Sequence, residues 1–426
     1  CTSNMTDWME KAMNADWGQT VLKTTKKNTR DISDPIIKEI WKRFEEEESD
    51  IKKFEYCSQL IIKDPKDYFA YLRAGDTLRE LKQNDEAHEK YLKSLELSNR
   101  KCIEVLNNYG NFQGDLNNDD EAINLYDEGL KIDPKDTDLL YNKCRSLKDL
   151  EKYEEAIVCY DKALEINPKY YEAWNGKGNA LRKLEKYEES IDCYDKALEI
   201  NPKNERGWNV KGNALRKLEK YEEAIDCYDK ALEINPKYER GWNGKGIALD
   251  DLEKYEEAIV CYDKALEIDP KYHGYWNNKG FALRKLEKYE ESIVCYEKAL
   301  EINPKNERGL KGKARALSNL EKYEESIVCY DKALEINPKN AGTLNSKSWT
   351  LCKLERYEEA LLLSEISLAI KSTTIEYIHT KGFILLKLKQ YQDAIKWFDK
   401  ALAVDPNHKD SIKDRQLAAD AAKLDK

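Results

Sequence analysis

The sequence predicts an all-α protein, a right-handed α-solenoid superhelix of about ten tandem helix-turn-helix repeats. Proline recurs every 34 residues, and a period of this length indicates units that stack on their neighbours. Within each period, apolar residues fall at helical spacing in two successive runs. The prolines of the period are Pro134, Pro168, Pro202, Pro236, Pro270, Pro304, Pro338 and Pro406, with Ser372 in the slot between the last two.

Residues 171–204 show how one repeat is built, with the sequence YEAWNGKGNALRKLEKYEESIDCYDKALEINPKN. The first half places Trp174 and Leu181 on one helical face, and the second half does the same with Tyr194 and Leu198. A short Leu-Glu-Lys-Tyr segment connects the two helices. The Asn-Pro pair ends the second helix, because the residue before proline avoids the α region.

The chain divides into four segments in order. Residues 1–34 have no clear period and are expected to form an irregular arm, and residues 35–67 are expected to form a degenerate helical hairpin. Residues 68–408 form the repeats, and residues 409–426 a C-terminal capping helix with Ile412 and Leu417 inward, since a terminal repeat lacks a neighbour. The ten units are 68–102, 103–136, 137–170, 171–204, 205–238, 239–272, 273–306, 307–340, 341–374 and 375–408.

Residues 68–408 resemble the tetratricopeptide repeat (TPR) family. That family has a large apolar residue at position 4 of the repeat, small residues at 8 and 20, Tyr or a similar residue at 11, an aromatic residue at 24, Ala at 27 and Pro at 32. The small residues let the two helices of a hairpin approach closely. The residues that match in unit 171–204 are Trp174, Gly178, Leu181, Ser190, Tyr194, Ala197 and Pro202. The resemblance implies a solenoid that acts as a protein–protein interaction scaffold.

Position 7 departs from the family, which has Leu where this chain has Lys. We expect each lysine to bury its aliphatic stem and to send its ammonium to an edge or to an acidic partner. The lysines concerned are Lys143, Lys177, Lys211, Lys245, Lys279, Lys313, Lys347 and Lys381.

Composition and motifs exclude several classes of function. The net charge of −10 argues against a protein that coats nucleic acid, so no nucleic-acid partner is expected. The sequence contains no run of 18 apolar residues, so no transmembrane segment is expected. It also lacks a nucleophile–base signature, a glycine-rich phosphate loop and a metal motif. We therefore expect no enzymatic activity, no cofactor and no metal.

The cysteines bear on location. Six lie 34 residues apart, at Cys159, Cys193, Cys227, Cys261, Cys295 and Cys329. Thiols one repeat apart are too distant to bridge, so they are interpreted as small buried apolar residues. Unpaired thiols favour a reducing compartment and hence a cytoplasmic protein. The first residue, Cys1, suggests an alternative: a mature lipoprotein at the cell surface, lipid-anchored through Cys1. An expression remnant before Met5 would also explain it.

The resemblance implies a groove on the inner face of the superhelix, lined by positions 2, 5, 9, 12 and 13 of the first helices. Carboxamides there suit the backbone of an extended peptide, and arginines suit its carboxylates. The expected peptide partner is therefore acidic. The asparagines are Asn175, Asn179, Asn209, Asn213, Asn243 and Asn277, the arginines are Arg182, Arg206, Arg216, Arg240, Arg284 and Arg308, and the aromatic residue is Trp349. The competing interpretation is that near-identical repeats copy these residues without a ligand.

A second function stays open, that of a self-assembling structural protein such as a filament or surface fibre. Near-identical repeats suit a regular assembly, and solenoid ends can stack head to tail into open filaments. The arm contains Trp8 and Trp17 but too little apolar pattern for a core of its own. It would gain order on another surface, such as the next copy of the chain, in an arm exchange.

Overall fold

The structure is a computed structural model that describes residues 34–424. This part of the chain contains 23 α-helices and no β-strand. The helices are α1 (Pro35–Glu46), α2 (Asp50–Lys63), α3 (Tyr68–Glu80), α4 (Asn84–Leu97), α5 (Ile103–Asp115), α6 (Asp119–Ile132), α7 (Thr137–Asp149), α8 (Tyr153–Ile166), α9 (Tyr171–Lys183), α10 (Tyr187–Ile200), α11 (Glu205–Lys217), α12 (Tyr221–Ile234), α13 (Glu239–Asp251), α14 (Tyr255–Ile268), α15 (His273–Lys285), α16 (Tyr289–Ile302), α17 (Glu307–Asn319), α18 (Tyr323–Ile336), α19 (Ala341–Lys353), α20 (Tyr357–Ile370), α21 (Ile375–Lys387), α22 (Tyr391–Val404) and α23 (Lys409–Leu424).

The helices form two compact units, one ending at Pro168 and one beginning at Lys169. In each unit, every odd-numbered helix from α1 to α21 packs against the even-numbered helix that follows it as a hairpin, and consecutive hairpins stack. From α3 onward in the first unit, and throughout the second, the odd-numbered first helices also touch one another. The even-numbered second helices of consecutive repeats do not touch within either unit. The first helices therefore form one continuous layer in each unit.

A left-handed residue at position 15 joins the two helices of each repeat. In unit 205–238, Glu219 has φ 59°, and the amide of Lys220 donates to the carbonyl of Leu215 at 3.0 Å. This is the bonding pattern that ends helices at a left-handed residue, usually glycine. Here none of these residues is glycine. They are Lys82, Asn117, Glu151, Glu185, Glu219, Glu253, Glu287, Glu321, Glu355 and Lys389.

The second helices end where the sequence predicts. Asn235, immediately before Pro236, lies in the extended region with φ −134° and ψ 93°. The next first helix then begins under a side-chain cap in several repeats. Asn204, for example, accepts a hydrogen bond from the amide of Gly207 at 3.0 Å. Such a cap satisfies one of the amides that a helix start leaves without a partner.

Small residues at position 8 allow the close helix approach that the sequence predicts. The ring of Tyr262, at position 24, lies so near Gly246 that a Cβ there would be 2.6 Å from its Cε1 atom. Gly178 and Gly212 meet Tyr194 and Tyr228 in the same way. These tyrosine rings are almost fully buried and form the centre of each hairpin.

The position-7 lysines join consecutive repeats. Lys245 on α13 donates to Asp229 on α12 at 2.6 Å, and Lys279 on α15 donates to Asp263 on α14 at 2.5 Å. The same pairing occurs in the first unit, between Lys143 and Asp127. This confirms that the lysine buries its stem and meets an acidic partner. The position that the family fills with Leu here adds an ion pair between repeats.

Two expectations are wrong. On α23, Ile412 and Leu417 are 49% and 57% exposed, whereas Ser411 and Ala418 are buried. The small residues face inward because they allow α23 to approach its neighbours α21 and α22 closely. The second error concerns Cys159, which forms a disulfide with Cys144.

The disulfide was not predicted because only cysteines one repeat apart were considered, whereas Cys144 lies on the other helix of the same hairpin. The cytoplasmic location was expected because the thiols were thought unpaired, so it stays a prediction that has lost part of its support. The proposed lipid anchor, Cys1, and the proposed assembly residues Trp8 and Trp17 lie outside the described residues.

Candidate functional site

The first helices α9 to α21 of the second unit carry every groove residue named from the sequence. We call the surface formed by positions 2, 5, 9, 12 and 13 of these helices the first-helix face. Its residues fall into three groups: carboxamides, arginines and a row of apolar side chains.

The carboxamides at position 5 are largely turned into the fold. Asn209 and Asn277 are 7% and 2% exposed, and their Oδ1 atoms are buried with no hydrogen-bond partner among residues 34–424. The Oδ1 of Asn243 accepts from Asn278 Nδ2, at position 6 of the next repeat, at 2.7 Å. The Oδ1 of Asn175 is buried without such a partner, because the next repeat has Val210 at position 6. These oxygens therefore do not face a ligand.

The carboxamides at position 9 have a structural partner in each hairpin. The hydroxyl of Tyr194 donates to Asn179 Oδ1 at 3.0 Å, and that of Tyr228 donates to Asn213 Oδ1 at 2.9 Å. A buried tyrosine hydroxyl needs an acceptor, so this pairing accounts for the asparagines without a ligand. Sequence reasoning had assigned both of them to peptide binding.

The arginines divide into two sets. Arg206, Arg240 and Arg308, at position 2, are exposed. The position-12 arginines Arg182, Arg216 and Arg284 are half-buried, with buried Nε atoms. Burial raises the pKa of the tyrosine in each of these hairpins, and the guanidinium acts against that rise. One of these arginines is also paired, because Arg216 donates to Asp251 at 2.9 Å. The position-2 set is thus the more accessible to an acidic partner.

Asp250 takes over the role of the missing position-9 asparagine in unit 239–272. Position 9 there is Ile247, and the hydroxyl of Tyr262 donates instead to Asp250 Oδ2 at 2.5 Å. Burial, with a smaller contribution from the charge of Asp251, raises the pKa of Asp250 to about 7 against the opposing effects of the Tyr262 hydrogen bond and of Arg308. Asp250 thus pairs with the tyrosine of its own hairpin, whereas Asp251 pairs with Arg216 of the preceding repeat.

A row of apolar side chains occupies position 9 in the later repeats. Ile247, Phe281, Trp349 and Phe383 are all half-buried, and the row is interrupted only by Arg315 in unit 307–340. The rings of Trp349 and Phe383 lie 4.9 Å apart. The face therefore changes along the chain, from asparagines bonded to tyrosines to partly exposed apolar groups.

A cavity of about 350 Å³ opens beside this row. Trp349 and Arg315 line it, together with Asn345 from α19 and Glu376 and His379 from α21. Among residues 34–424, no ion pair of Arg315 is found. Sequence reasoning placed Trp349 here but missed Arg315, Glu376 and His379, although each stands at position 9, 2 or 5, where the resemblance places the groove.

The floor of the cavity is held by the capping helix. His379 is 8% exposed, and its Nε2 lies 3.0 Å from Asp414 Oδ2 on α23. The ring of His408 packs edge-on against that of His379, with 5.4 Å between centroids. These contacts position the walls around Trp349, and α23 therefore belongs to the candidate site.

Other types of site find no support in the part of the chain from residue 34 to 424. No group of three His, Cys, Asp or Glu side chains there is arranged to hold a metal ion. None of the helices described there is long and apolar enough to cross a membrane.

Comparison with known families decides the identity of the repeats. A tetratricopeptide repeat model matches residues 137–170, 171–204, 205–238, 239–272, 275–306, 308–340 and 379–408. Two further models of the same repeat match residues 103–136 and 329–361. The chain belongs to the tetratricopeptide repeat family. A search of curated proteins finds no significant match.

Several solved structures are similar to this chain. A chain in the crystal structure of the APC/C hetero-tetramer Cut9–Hcn1 is similar with a TM-score of 0.52 and 14% identity, covering 87% of this TPR chain and 86% of that one. A TPR protein from Parabacteroides merdae matches with a TM-score of 0.49 and 17% identity, over 58% of this chain and 98% of that one. YrrB, described as a TPR protein with an unusual peptide-binding site, has a TM-score of 0.37 and 26% identity, over 44% and 97% of the two chains. The similarity to the Cut9–Hcn1 chain supports the fold alone, and the other two similarities carry no argument about this chain.

Proposed function

We propose that the protein is a non-catalytic scaffold that binds an extended segment of a partner protein on the first-helix face of residues 239–408. The observation that carries the proposal is the half-exposed apolar row at position 9, which leads to the cavity beside Trp349. A row of apolar side chains beside a cavity is a surface that a partner's side chain could bury.

The chemistry of the row indicates the partner. Apolar or aromatic side chains of the segment would pack against Trp349 and Phe383. A carboxylate of the segment would pair with Arg315, which has no ion pair among the described residues, and the exposed Arg308 adds positive charge to the same helix. The proposed ligand is therefore an extended segment in which apolar residues flank an acidic one. The partner is still expected to be acidic, but it would be held mainly by Trp349, Phe383 and Arg315 and not by the asparagines.

The test is binding of fluorescent 12-residue peptides, measured by anisotropy against the full-length protein. One set carries an Asp or Glu between aromatic residues, a second replaces the acid by Gln, and a third replaces the aromatic residues by Ser. Truncation of a central aromatic anchor commonly costs about 2 kcal/mol or more, so Trp349→Ala should weaken the first set about 30-fold. Arg315→Ala should weaken it less, and the loss should shrink at high salt.

Matched controls separate binding from folding. Leu362→Ala removes an exposed apolar side chain from the second helix α20, and Arg356→Ala removes an exposed arginine next to that helix. Both variants should bind like the parent protein. The proposal fails if no peptide set binds, or if Trp349→Ala and Leu362→Ala have the same effect. If the acidic and Gln peptides bind equally well, Arg315 does not pair with a carboxylate of the segment, but the apolar part of the proposal remains.

A second candidate function is self-assembly, and one observation favours it. The second helices of consecutive later repeats expose an apolar residue at position 22: Val260, Val294, Val328 and Leu362 are 56%, 50%, 53% and 60% exposed. If this row is a contact between copies, light scattering should show oligomers that the double variant Val294→Asp/Val328→Asp dissociates. Deleting residues 1–33 tests the arm exchange separately. If the full-length protein, the double variant and the deletion variant are all monomeric at high concentration, self-assembly is excluded.

A further inference from the structure

One hairpin of the array differs from the others by a covalent bond. Cys144 on α7 and Cys159 on α8 form a disulfide, with 5.4 Å between their Cα atoms and 15 residues between them in sequence. Both side chains are buried, at 0% and 6% exposed. The bond therefore joins the two helices of hairpin α7–α8 through their packed centre.

The pair arises from a single departure from the repeat. Position 23 is cysteine in six consecutive units. Position 8 of the same hairpin is usually glycine or alanine, as in unit 239–272, which has Gly246 and Cys261. Only unit 137–170 has cysteine at both positions. In the later units burial raises the pKa of Cys227, Cys261 and Cys295 to about 11, which keeps these thiols protonated and slow to react.

We propose that Cys144 and Cys159 are a thiol–disulfide modification site that clamps hairpin α7–α8 in response to the redox state of small disulfides such as glutathione disulfide. Closure proceeds by two exchanges. The thiolate of one cysteine attacks the disulfide RSSR and releases one RS⁻, and the thiolate of the second then displaces the other RS⁻. The balance is one dithiol and one RSSR giving one protein disulfide and two RSH.

Burial determines how the site responds. Because Cys144 is fully buried, the exchange requires α7 and α8 to separate transiently. The closed bond is protected in the same way, so it should be reduced slowly in the folded protein. Whether the disulfide is formed therefore depends on the redox conditions at the time when the hairpin last opened.

The position of the hairpin gives the bond its effect on the fold. The first compact unit ends at Pro168, immediately after α8, so α7–α8 is its last hairpin. Within that unit, α7 packs on α6 and touches α5. Because each repeat of a solenoid is stabilised by its neighbours, a clamp on the last hairpin also stabilises unit 103–136.

The experiment uses the full-length protein, equilibrated with glutathione disulfide or with dithiothreitol in mild urea and returned to buffer. Mass spectrometry after alkylation should show a peptide that links Cys144 to Cys159 in the first sample and two alkylated cysteines in the second. Amide hydrogen exchange in α7 and α8 should be at least about tenfold slower in the oxidised sample, with about 100-fold as the limit for cross-linking a loop of this length. Exchange in α15 and α16 should be equal in both.

Variants separate the bond from other thiol effects. Cys144→Gly introduces the glycine that most later repeats have at position 8. It should abolish the difference in amide exchange between the oxidised and reduced samples. If this variant folds poorly, Cys159→Ala serves the same purpose. Cys227→Ala should keep the full difference. Free thiols at both positions after oxidation, a mixed disulfide with glutathione without closure, or equal exchange rates in the two samples would each overturn the proposal.

Discussion

Replacing Asp250 by Asn should make the protein more stable at pH 8, and by a smaller amount at pH 5. Asp250 accepts the hydroxyl of Tyr262, and burial raises its pKa to about 7. An asparagine can accept the same hydrogen bond, as Asn213 does from Tyr228 in the preceding repeat. The substitution therefore removes the charge and keeps the contact.

The sign follows from the raised pKa. The carboxyl binds its proton more tightly in the folded protein than in the unfolded chain, so the folded state is favoured while Asp250 is protonated. That stability is lost as the pH rises from about 4 through about 7. The full loss for such a carboxyl is about 4 kcal/mol, and partial exposure of the group reduces it to about 2–4 kcal/mol. The Asn variant should gain this amount at pH 8.

The assay is amide hydrogen exchange in α13 and α14 at pH 5, 6, 7 and 8, with rates corrected for the intrinsic dependence on pH. A local readout is needed because long repeat arrays do not unfold in a single two-state step. The converse variant, Asn213→Asp, places a carboxylate under Tyr228 and should acquire the pH dependence that Asp250→Asn loses. Parallel pH profiles for the parent protein and Asp250→Asn would refute the reasoning.

Further outcomes are expected at the repeat junctions. Glu219→Gly should raise the free energy of local unfolding by about 0.5–1 kcal/mol, because glycine adopts the left-handed conformation at φ 59° without strain. Glu222→Gly, in the first turn of α12, should lower it. Faster amide hydrogen exchange in α11 and α12 of Glu219→Gly would contradict this account. Lys245→Met keeps the buried stem and loses only the ion pair to Asp229, so it should cost at most about 1 kcal/mol, and Lys245→Ala should cost more. If thermal melts show the same loss of stability for Lys245→Met and Lys245→Ala, the aliphatic stem of the lysine contributes nothing to stability.

The period and the local chemistry of the sequence were enough to predict the repeat fold. The proline before which each second helix ends, the small residue under Tyr262 and the lysine at position 7 all act within one repeat or between neighbours. Interactions of this range repeat with the sequence, so a 34-residue pattern indicates them directly. The place of Trp349 on the first-helix face was also expected from its position in the first helix, whereas the cavity beside it was not.

The partners of individual polar groups could be decided only by the tertiary structure. Position 9 predicts which side of a helix Asn213 occupies, but not that the hydroxyl of Tyr228, fifteen residues later, donates to it. Position 12 likewise does not reveal that Asp250 replaces the asparagine, nor position 8 that Cys144 meets Cys159. A helical pattern determines the direction of a side chain to within a face, whereas a hydrogen bond or a disulfide requires atoms to meet within a few tenths of an ångström. That distance depends on how closely the two helices of each hairpin pack.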